Sequence, residues 1–226
     1  MAKERILTLL FRLLVMPVTA ISEFSYFTNI RGFRRDVHTI VAAVDASAPF
    51  IPIKFAAVLF VAEDHRSQLH SGVDPIALGR AVWVWLRWRR RQGASTVEQQ
   101  FVRTILRMYA PTFLRKFREQ LLAVAVSRRR SKTDIARAYL AVAYYGTKYR
   151  GTAGLKALCG SNLESARPEQ IRGAVARLKY PEPRNPTVSW AAKHHRRIEY
   201  LVLRQTRFAN HYSGSLPTTR ARLPGF

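Results

Sequence analysis

Apolar residues recur at helical spacing along most of the chain from Pro52 onward, and no stretch alternates between apolar and polar residues as a β-strand would. Capping signals mark several helix starts. Asp74-Pro75 is typical of an N-cap followed by proline, and Ser95 to Glu98 has the spacing of a capping box. The pattern predicts an all-α fold with helices near positions 54–62, 74–91, 95–109, 111–130, 131–143, 168–180 and 187–204.

Breaks in this pattern divide the chain into segments. The glycines of 146–154 predict a loop and turn region, and the prolines of 181–186 force an extended crossing segment. Residues 25–50 show no clear period and are interpreted as a connector, and the tail over 206–226 is predicted to be irregular. We therefore expect one helical domain over 51–205.

The first 24 residues differ in character from the rest. The apolar run from Ile6 to Ile21 has 16 residues and contains Arg12, whereas a membrane-spanning helix needs about 20. No small-x-small cleavage site follows the run, which disfavours a signal peptide. We predict a membrane anchor or an interfacial helix, with a helix docked on the domain as the alternative.

Charge narrows the class of protein. The 226 residues include 38 Lys and Arg against 14 Asp and Glu, which gives a net charge of +24. Such a chain is expected to meet a polyanion, an anionic membrane or a phosphate-bearing substrate. A hydrophobic content of 48% excludes disorder from end to end. The single cysteine, Cys159, excludes an internal disulfide and a multi-thiolate zinc site.

Acidic residues are scarce, so the pair Glu63-Asp64 at the end of the apolar segment 54–62 is informative. A partly desolvated carboxylate suits general acid or base catalysis. If the helix continued, His70 would lie two turns beyond Glu63. The alternative is an ordinary solvated acidic pair at the end of a core helix.

A second group has a basic character. Arg115 and Lys116 precede Glu119 by four and three residues, so all three share one helix face. An acid ringed by bases suits a phosphate site. The alternative is a surface salt bridge worth about 0.3–0.5 kcal/mol.

A third group lies between these two. Gly93 allows a tight turn, and Ser95 and Thr96 present hydroxyl groups at a helix N-terminus, where an anion is favoured. Gln100 and Arg103 follow one turn apart. The alternative is that Ser95 and Glu98 form a capping box that needs no ligand.

In this order, the three groups resemble the motifs of the peptidoglycan glycosyltransferases, glycosyltransferase family 51. A fourth and a degraded fifth motif follow, and the resemblance covers about 50–205. The matching residues, motif by motif, are Glu63, Asp64, His70, Gly72 and Asp74; Gly93, Ser95, Thr96, Gln100 and Arg103; Arg115, Lys116 and Glu119; Lys132, Ile135, Tyr139, Leu140, Gly146, Gly151 and Gly154; and Pro181 to Pro186 with the helix after them.

Five positions depart from the family pattern. Ser67 replaces an aromatic residue, Ala94 a glycine, and Ser127 a glutamate. Arg137 replaces an acid, and Ala141 an asparagine. Most of these are supporting positions, so the pattern indicates a divergent member.

The resemblance implies a lysozyme-like helical domain with a smaller membrane-proximal lobe, and lipid II and the growing glycan strand as substrates. Glu63 would be the general base, and Glu119 would organise the bases or a divalent ion. The diphosphate would be held by Ser95, Thr96, Gln100, Arg103, Arg115 and Lys116, with Asp64, His70, Gly72, Asp74 and Gly93 in support.

The resemblance also implies a metal ion, a cellular location and partners. Mg²⁺ or Mn²⁺ is possible at the diphosphate, although no cluster shows metal-ligand spacing. The expected location is the outer, periplasmic face of a bacterial cytoplasmic (inner) membrane. Partners would include the anionic membrane and cell-wall synthesis or division proteins, with no nucleic acid.

Two other functions compete with this interpretation. The first is nucleic-acid binding, which the charge, the Arg128 to Arg130 cluster and the Trp/Arg tract over 83–91 would serve. The second is a catalytically impaired relative that acts as a lipid II-binding or scaffold protein. The tract over 83–91 could lie at a membrane surface, or its tryptophans could lie in the core with the arginines in solvent.

Overall fold

The computed structural model describes residues 2–90 and 92–212, and it describes side chains within 9–11, 13–90 and 92–206. These residues form ten α-helices, four short 3-10 helices and one short hairpin, which confirms the all-α prediction. The elements are α1 (Ala2–Thr28), α2 (Phe33–Ser47), α3 (Ile53–Glu63), α4 (Pro75–Trp88), α5 (Val97–Ile105), α6 (Phe113–Ser127), α7 (Lys132–Val142), β1 (Tyr144–Gly146), β2 (Tyr149–Arg150), α8 (Gly151–Cys159), α9 (Pro168–Lys179) and α10 (Val188–Tyr212).

Helix α7 lies at the centre of the fold. One side of α7 contacts α3 and α8, and another contacts α2 and α5. Its Leu140 belongs to an apolar cluster with Leu59 of α3, and its Ile135 belongs to a second cluster with Leu122 of α6. All four side chains are fully buried. This packing brings the end of α3 and the first turns of α5 and α6 into one region.

The prediction that residues 25–50 form a connector without regular structure is wrong for residues 33–47. These residues form α2, whose Phe33, Val37, Ile40 and Val44 are buried at helical spacing. The short polar and aromatic stretches on either side of this run obscure its period in the sequence. Helix α2 is therefore part of the domain core and lies against α6 and α7.

The second half of the chain differs from the prediction in two places. Helix α8 and the β1–β2 hairpin occupy the predicted loop and turn region. Helix α10 continues to Tyr212, into the predicted irregular tail, and residues 213–226 lie outside the described part. The crossing segment over 181–186 lies beside β1, where the Glu182 N–H donates to the Tyr145 carbonyl at 2.9 Å.

Helix α1 docks on the domain through one face. Phe11 and Val15 are buried, and the Ser22 hydroxyl donates to the Leu121 carbonyl of α6 at 2.8 Å. The opposite face exposes apolar side chains that include Leu14 and Phe24. Among the described helices, none is by itself both long and apolar enough to cross a membrane, and the bent pair 30–50 and 53–63 meets that criterion only as a pair.

Candidate active site

Glu63 is the last residue of α3, a helix whose Phe55 and Leu59 are fully buried. The buried helix brings the carboxylate to the surface of the domain, where its side chain is 20% exposed. Arg197 of α10 donates to Oε1 at 2.8 Å, and the Gln100 side-chain amide donates to Oε2 at 3.3 Å. Glu63 is therefore held at both oxygens but is open to solvent.

Two clefts meet at this carboxylate, with volumes of about 870 and 690 Å³. Both are lined by Glu63, Gln100 and Arg103. The first cleft adds aromatic and apolar groups: Tyr109, Tyr139, Tyr144, Leu178 and Pro181, with Arg107 and Arg150. The second cleft is strongly basic, with Arg66, Arg80, Lys179, Arg197 and Arg204 against Asp64 and Asp74. A carboxylate between a mixed cleft and a cationic cleft suits a polar substrate that carries phosphate.

The basic group predicted on α6 forms around a buried acid. Glu119 is fully buried, with Oε1 bonded to Lys116 at 2.5 Å and Oε2 bonded to Arg115. Arg103 of α5 approaches the same Oε2, with its Nε at 3.9 Å. Complete burial excludes the surface salt bridge alternative for Glu119. Glu119 lies beneath the three cations, which are themselves partly exposed.

Lys116 is the most constrained member of this basic cluster. Besides Glu119, its ammonium donates to the Ser95 hydroxyl at 2.9 Å and to the Gln99 side-chain oxygen at 2.7 Å. Burial lowers the pKa of Lys116, and its bond to Glu119 opposes part of that shift. Lys116 thus links the start of α5 to α6.

One face of α5 reaches both acids. Gln100 of that helix contacts Glu63, and Arg103, one turn later, approaches Glu119. Arg103 therefore connects the cationic cluster on Glu119 with the clefts at Glu63, whereas Arg115 and Lys116 line neither cleft and Thr96 is buried as the N-cap of α5. Glu119 supports this cluster from below and does not face the clefts.

The start of α5 differs from the predicted capping box. Thr96 is the N-cap: its hydroxyl accepts from the Gln99 N–H at 3.3 Å and donates to the Gly72 carbonyl at 2.8 Å. Ser95 instead accepts from Lys116, and Glu98 points into the interior. The capping-box prediction is wrong because both side chains have stronger charged partners elsewhere in the fold.

The loop between α3 and α4 is held by Gly72 and Asp74. Gly72 has a φ of +88°, and a Cβ there would lie 2.7 Å from the Ala123 backbone of α6. Asp74 is the N-cap of α4, which confirms that prediction, and it accepts from the Ala77 N–H at 2.9 Å. Asp74 also pairs with Arg66 at 2.7 Å. The loop can cross α6 this closely only with glycine at position 72.

His70 does not lie on the helix of Glu63, because α3 ends at Glu63 and the chain turns at Asp64. Its Nε2 lies 2.9 Å from Oδ1 of Asp64, and both residues are buried. Burial favours the neutral form of Asp64, but the hydrogen bond and charge of His70, together with the charge of Lys132, outweigh it and lower the pKa of Asp64. His70 therefore supports the turn directly after Glu63.

Sequence reasoning missed a buried ion pair that completes this group. Lys132, at the start of α7, bonds to Glu98 of α5 and lies 3.4 Å from Nδ1 of His70. The Oε2 atom of Glu98 is buried and has no partner among the described residues. The pair joins residues 34 positions apart, so no local spacing reveals it.

The expected Mg²⁺ or Mn²⁺ would need free oxygen ligands among these residues. Both oxygens of Glu119 are bonded to cations, which leaves that carboxylate no free ligand atom. Asp64, His70 and Glu98 have ligand atoms within 4.8 Å of one another, but Oε1 of Glu98 is bonded to the Lys132 ammonium and Oδ1 of Asp64 to Nε2 of His70. The described residues therefore do not fit a divalent ion held by the protein at Glu119.

Gly93, and two of the positions that depart from the family pattern, have structural roles that the sequence did not predict. Gly93 lines the second cleft, but it has an ordinary φ and open space around it, so the tight-turn argument does not apply. Ala94 lines the same cleft. Arg137, where an acid is usual, donates to the Ile51 carbonyl and pairs with Asp134 at 3.1 Å. This departure is accommodated structurally, away from Glu63.

The site thus has the features of a glycosyl-transferring protein: a partly exposed carboxylate beside a cationic region, on an all-α scaffold. The transglycosylase family model matches residues 33–206, and the chain belongs to this family, glycosyltransferase family 51. The match begins where α2 begins, which agrees with the placement of that helix in the domain.

Several penicillin-binding proteins are similar to this chain. It is 36% identical to penicillin-binding protein 1B of Vibrio cholerae over 134 residues, which is 57% of this chain and 17% of the relative. It is 32% identical to penicillin-binding protein 1A of Rickettsia bellii over 163 residues, 68% of this chain and 20% of the relative. It is 30% identical to penicillin-binding protein 1A of Escherichia coli over 141 residues, which is 62% of this chain and 17% of the relative. The chain spans about a fifth or less of the length of these relatives.

Proposed function

We propose that this chain is a peptidoglycan glycosyltransferase that polymerises lipid II, a disaccharide-pentapeptide on a polyprenyl diphosphate, into glycan strands. The observation that carries the proposal is the position of Glu63 between two clefts that share Arg103, beside the cationic cluster on Glu119. Glycosyl transfer from a diphosphate needs a base at the acceptor and positive charge at the leaving group. Family membership supports the same reaction class.

In the proposed reaction, Glu63 takes the proton of the acceptor sugar's 4-hydroxyl as that oxygen bonds to the donor's anomeric carbon. The bond between the anomeric carbon and the diphosphate oxygen breaks on the opposite side, so the configuration inverts. Negative charge builds up on the departing diphosphate, where Arg103, Arg115 and Lys116 supply fixed positive charge. Their side chains are 32%, 18% and 31% exposed, so an anion can reach them.

No step is assigned to a metal ion. Three cations converge where the leaving group is expected, and the Glu119 carboxylate that would hold a divalent ion is fully engaged by Arg115 and Lys116. The cluster itself supplies the positive charge that the reaction needs.

We further propose that the chain works at the outer face of a bacterial cytoplasmic membrane. Trp83, Trp85 and Trp88 of α4 are about half exposed, which rules out the alternative in which they lie in the core. Arg89 stacks on Trp85, with 5.2 Å between the guanidinium carbon and the ring centre. Helix α4 contacts α1, whose outward face is also apolar. Tryptophan beside arginine next to an apolar face suits the headgroup region of an anionic bilayer.

The test is a polymerisation assay with the purified full chain in detergent and lipid II as substrate, run with Mg²⁺ and in parallel with a chelator. Glycan bands on a gel together with released polyprenyl diphosphate support the proposal. Lipid II binding without polymer would instead indicate a binding or scaffold protein. Binding to duplex DNA without binding to lipid II would indicate a nucleic-acid-binding protein, and either result would contradict the proposal.

A further inference from the structure

Arg197 of α10 is joined to the end of α3 by two hydrogen bonds. One terminal nitrogen donates to Oε1 of Glu63 and to the Ala62 carbonyl, each at 2.8 Å. Its side chain is 10% exposed, and its Nε is buried with no partner among the described residues. The guanidinium is therefore fixed against the last turn of α3.

Among the described residues, Arg197 is the only cation paired with Glu63. Other cations line the second cleft, including Lys179 of α9 and Arg204 of α10, but none of them forms a salt bridge with this carboxylate. Removing Arg197 would therefore remove one specific contact of Glu63, not merely one of several equivalent charges.

The two oxygens of Glu63 are held unequally. Oε1 has the charged partner at 2.8 Å, whereas Oε2 has the Gln100 amide at 3.3 Å, a longer and neutral hydrogen bond. The charged bond fixes the plane of the carboxylate, and the weaker bond leaves Oε2 available to the clefts. The geometry points to Oε2 as the oxygen that would meet an acceptor hydroxyl.

We propose that Arg197 is a positioning residue for glycosyl transfer, which sets the direction in which Glu63 presents Oε2 to the acceptor. This inference rests on the proposed function. The proton of the acceptor hydroxyl goes to Oε2, the hydroxyl oxygen bonds to the anomeric carbon, and the diphosphate leaves with the electrons of the broken bond. Arg197 takes no proton, and its role is to keep the base from turning away.

Misdirecting a catalytic group by about 1 Å can cost about 100-fold in rate. We therefore expect Arg197→Ala to lower kcat by about 10- to 100-fold, while the Kd for lipid II stays close to that of the unaltered chain. Added guanidinium ion should restore part of the rate, because it can occupy the vacated position. Arg197→Lys should be intermediate, since an ammonium can reach the same oxygen with less directional control.

The matched control is Arg196→Ala. Arg196 is the exposed neighbour on the same helix, and its Nε donates to the Ala192 carbonyl of that helix at 3.4 Å. The Arg196→Ala substitution removes the same charge as Arg197→Ala but no contact of Glu63. Its kcat should therefore be unchanged, and guanidinium should have no effect on it. Thermal unfolding of each variant confirms that it is folded.

The measurement is kcat for polymerisation and Kd for lipid II in the four chains, with and without guanidinium. If the unaltered chain is active, two results in Arg197→Ala would overturn this inference and leave the proposed function intact. One is a normal kcat, and the other is a lower kcat that guanidinium does not restore. If the unaltered chain makes no polymer, both fail. If Arg197→Ala does not fold, Arg197→Lys decides: lower kcat at unchanged Kd supports the role, and normal kcat overturns it.

Discussion

Gly72→Ala should destabilise the fold where the loop between α3 and α4 crosses α6. Gly72 has a φ of +88°, and the added methyl group would lie 2.7 Å from the Ala123 backbone and 2.9 Å from the Ser127 hydroxyl. The backbone of a buried helix cannot move aside. The Ser127 hydroxyl is itself bonded to the Ala123 carbonyl at 2.8 Å, so it cannot turn away freely.

The two penalties can be estimated separately. A residue with a Cβ in a left-handed conformation costs about 1–2 kcal/mol, and a clash of one methyl group in a packed interior costs about 1–3 kcal/mol. The expected loss is therefore about 2–5 kcal/mol in the free energy of unfolding. For a chain of this size, each kcal/mol lowers Tm by about 2–4 °C, so Tm should fall by roughly 4–20 °C.

Gly79→Ala is the matched control. Gly79 is an exposed glycine inside α4, with an ordinary φ and no atom within 4 Å of an added Cβ. Alanine should stabilise the helix there by about 0.5–1 kcal/mol, the opposite sign from Gly72→Ala. Thermal unfolding followed by circular dichroism measures both. A Tm for Gly72→Ala equal to or above that of the unaltered chain would refute the reasoning.

Three further predictions concern charge and the membrane. Burial lowers the pKa of Lys116 below the ordinary lysine value of 10.5, so Lys116 should lose its charge at a lower pH than an ordinary lysine. Binding of inorganic diphosphate, measured by titration calorimetry, should weaken over that pH range. Lys116→Arg should remove this contribution of Lys116 to the pH dependence. Glu98→Gln should lower the free energy of unfolding by about 3 kcal/mol, because it leaves Lys132 without its counter-charge. The double variant Glu98→Leu with Lys132→Met should recover most of this free energy in urea unfolding. Losses that simply add would contradict the prediction. Replacing Trp83 and Trp85 with alanine should weaken co-sedimentation with anionic vesicles, and unchanged binding would show that α4 is not the contact surface.

Much of the fold follows from local patterns. The helix that carries Glu63 is predictable from its continuous apolar run, and the helix that carries Lys116 from the helical spacing of its apolar residues. Asp74-Pro75 marks a helix start because the Asp74 side chain caps its own helix. The basic cluster on Glu119 is equally local, since two of its cations come from the preceding turn of α6. Features that depend on neighbours within about four residues are visible in the sequence alone.

The remaining contacts depend on the tertiary fold. Arg197 and Glu63 are 134 residues apart, and a basic run on an exposed helix gives no sign that one member reaches a distant carboxylate. The pairing of Glu98 with Lys132 overrides a capping box that local spacing favours. His70 meets Asp64 because α3 ends early, and helix periodicity alone does not predict that end. Of these contacts, the Arg197 bond holds Glu63 directly, and the His70 bond holds the turn that follows it.

The most direct test of the account measures lipid II binding and polymerisation in Glu63→Gln, which keeps the shape of the side chain and removes its basicity. Glu199→Gln, at an exposed acid of α10, is the control and should behave like the unaltered chain. Since a general base contributes about 10²- to 10⁴-fold to a rate, the account predicts normal lipid II binding with polymerisation reduced by that order. Polymerisation by Glu63→Gln at the rate of the unaltered chain would contradict it.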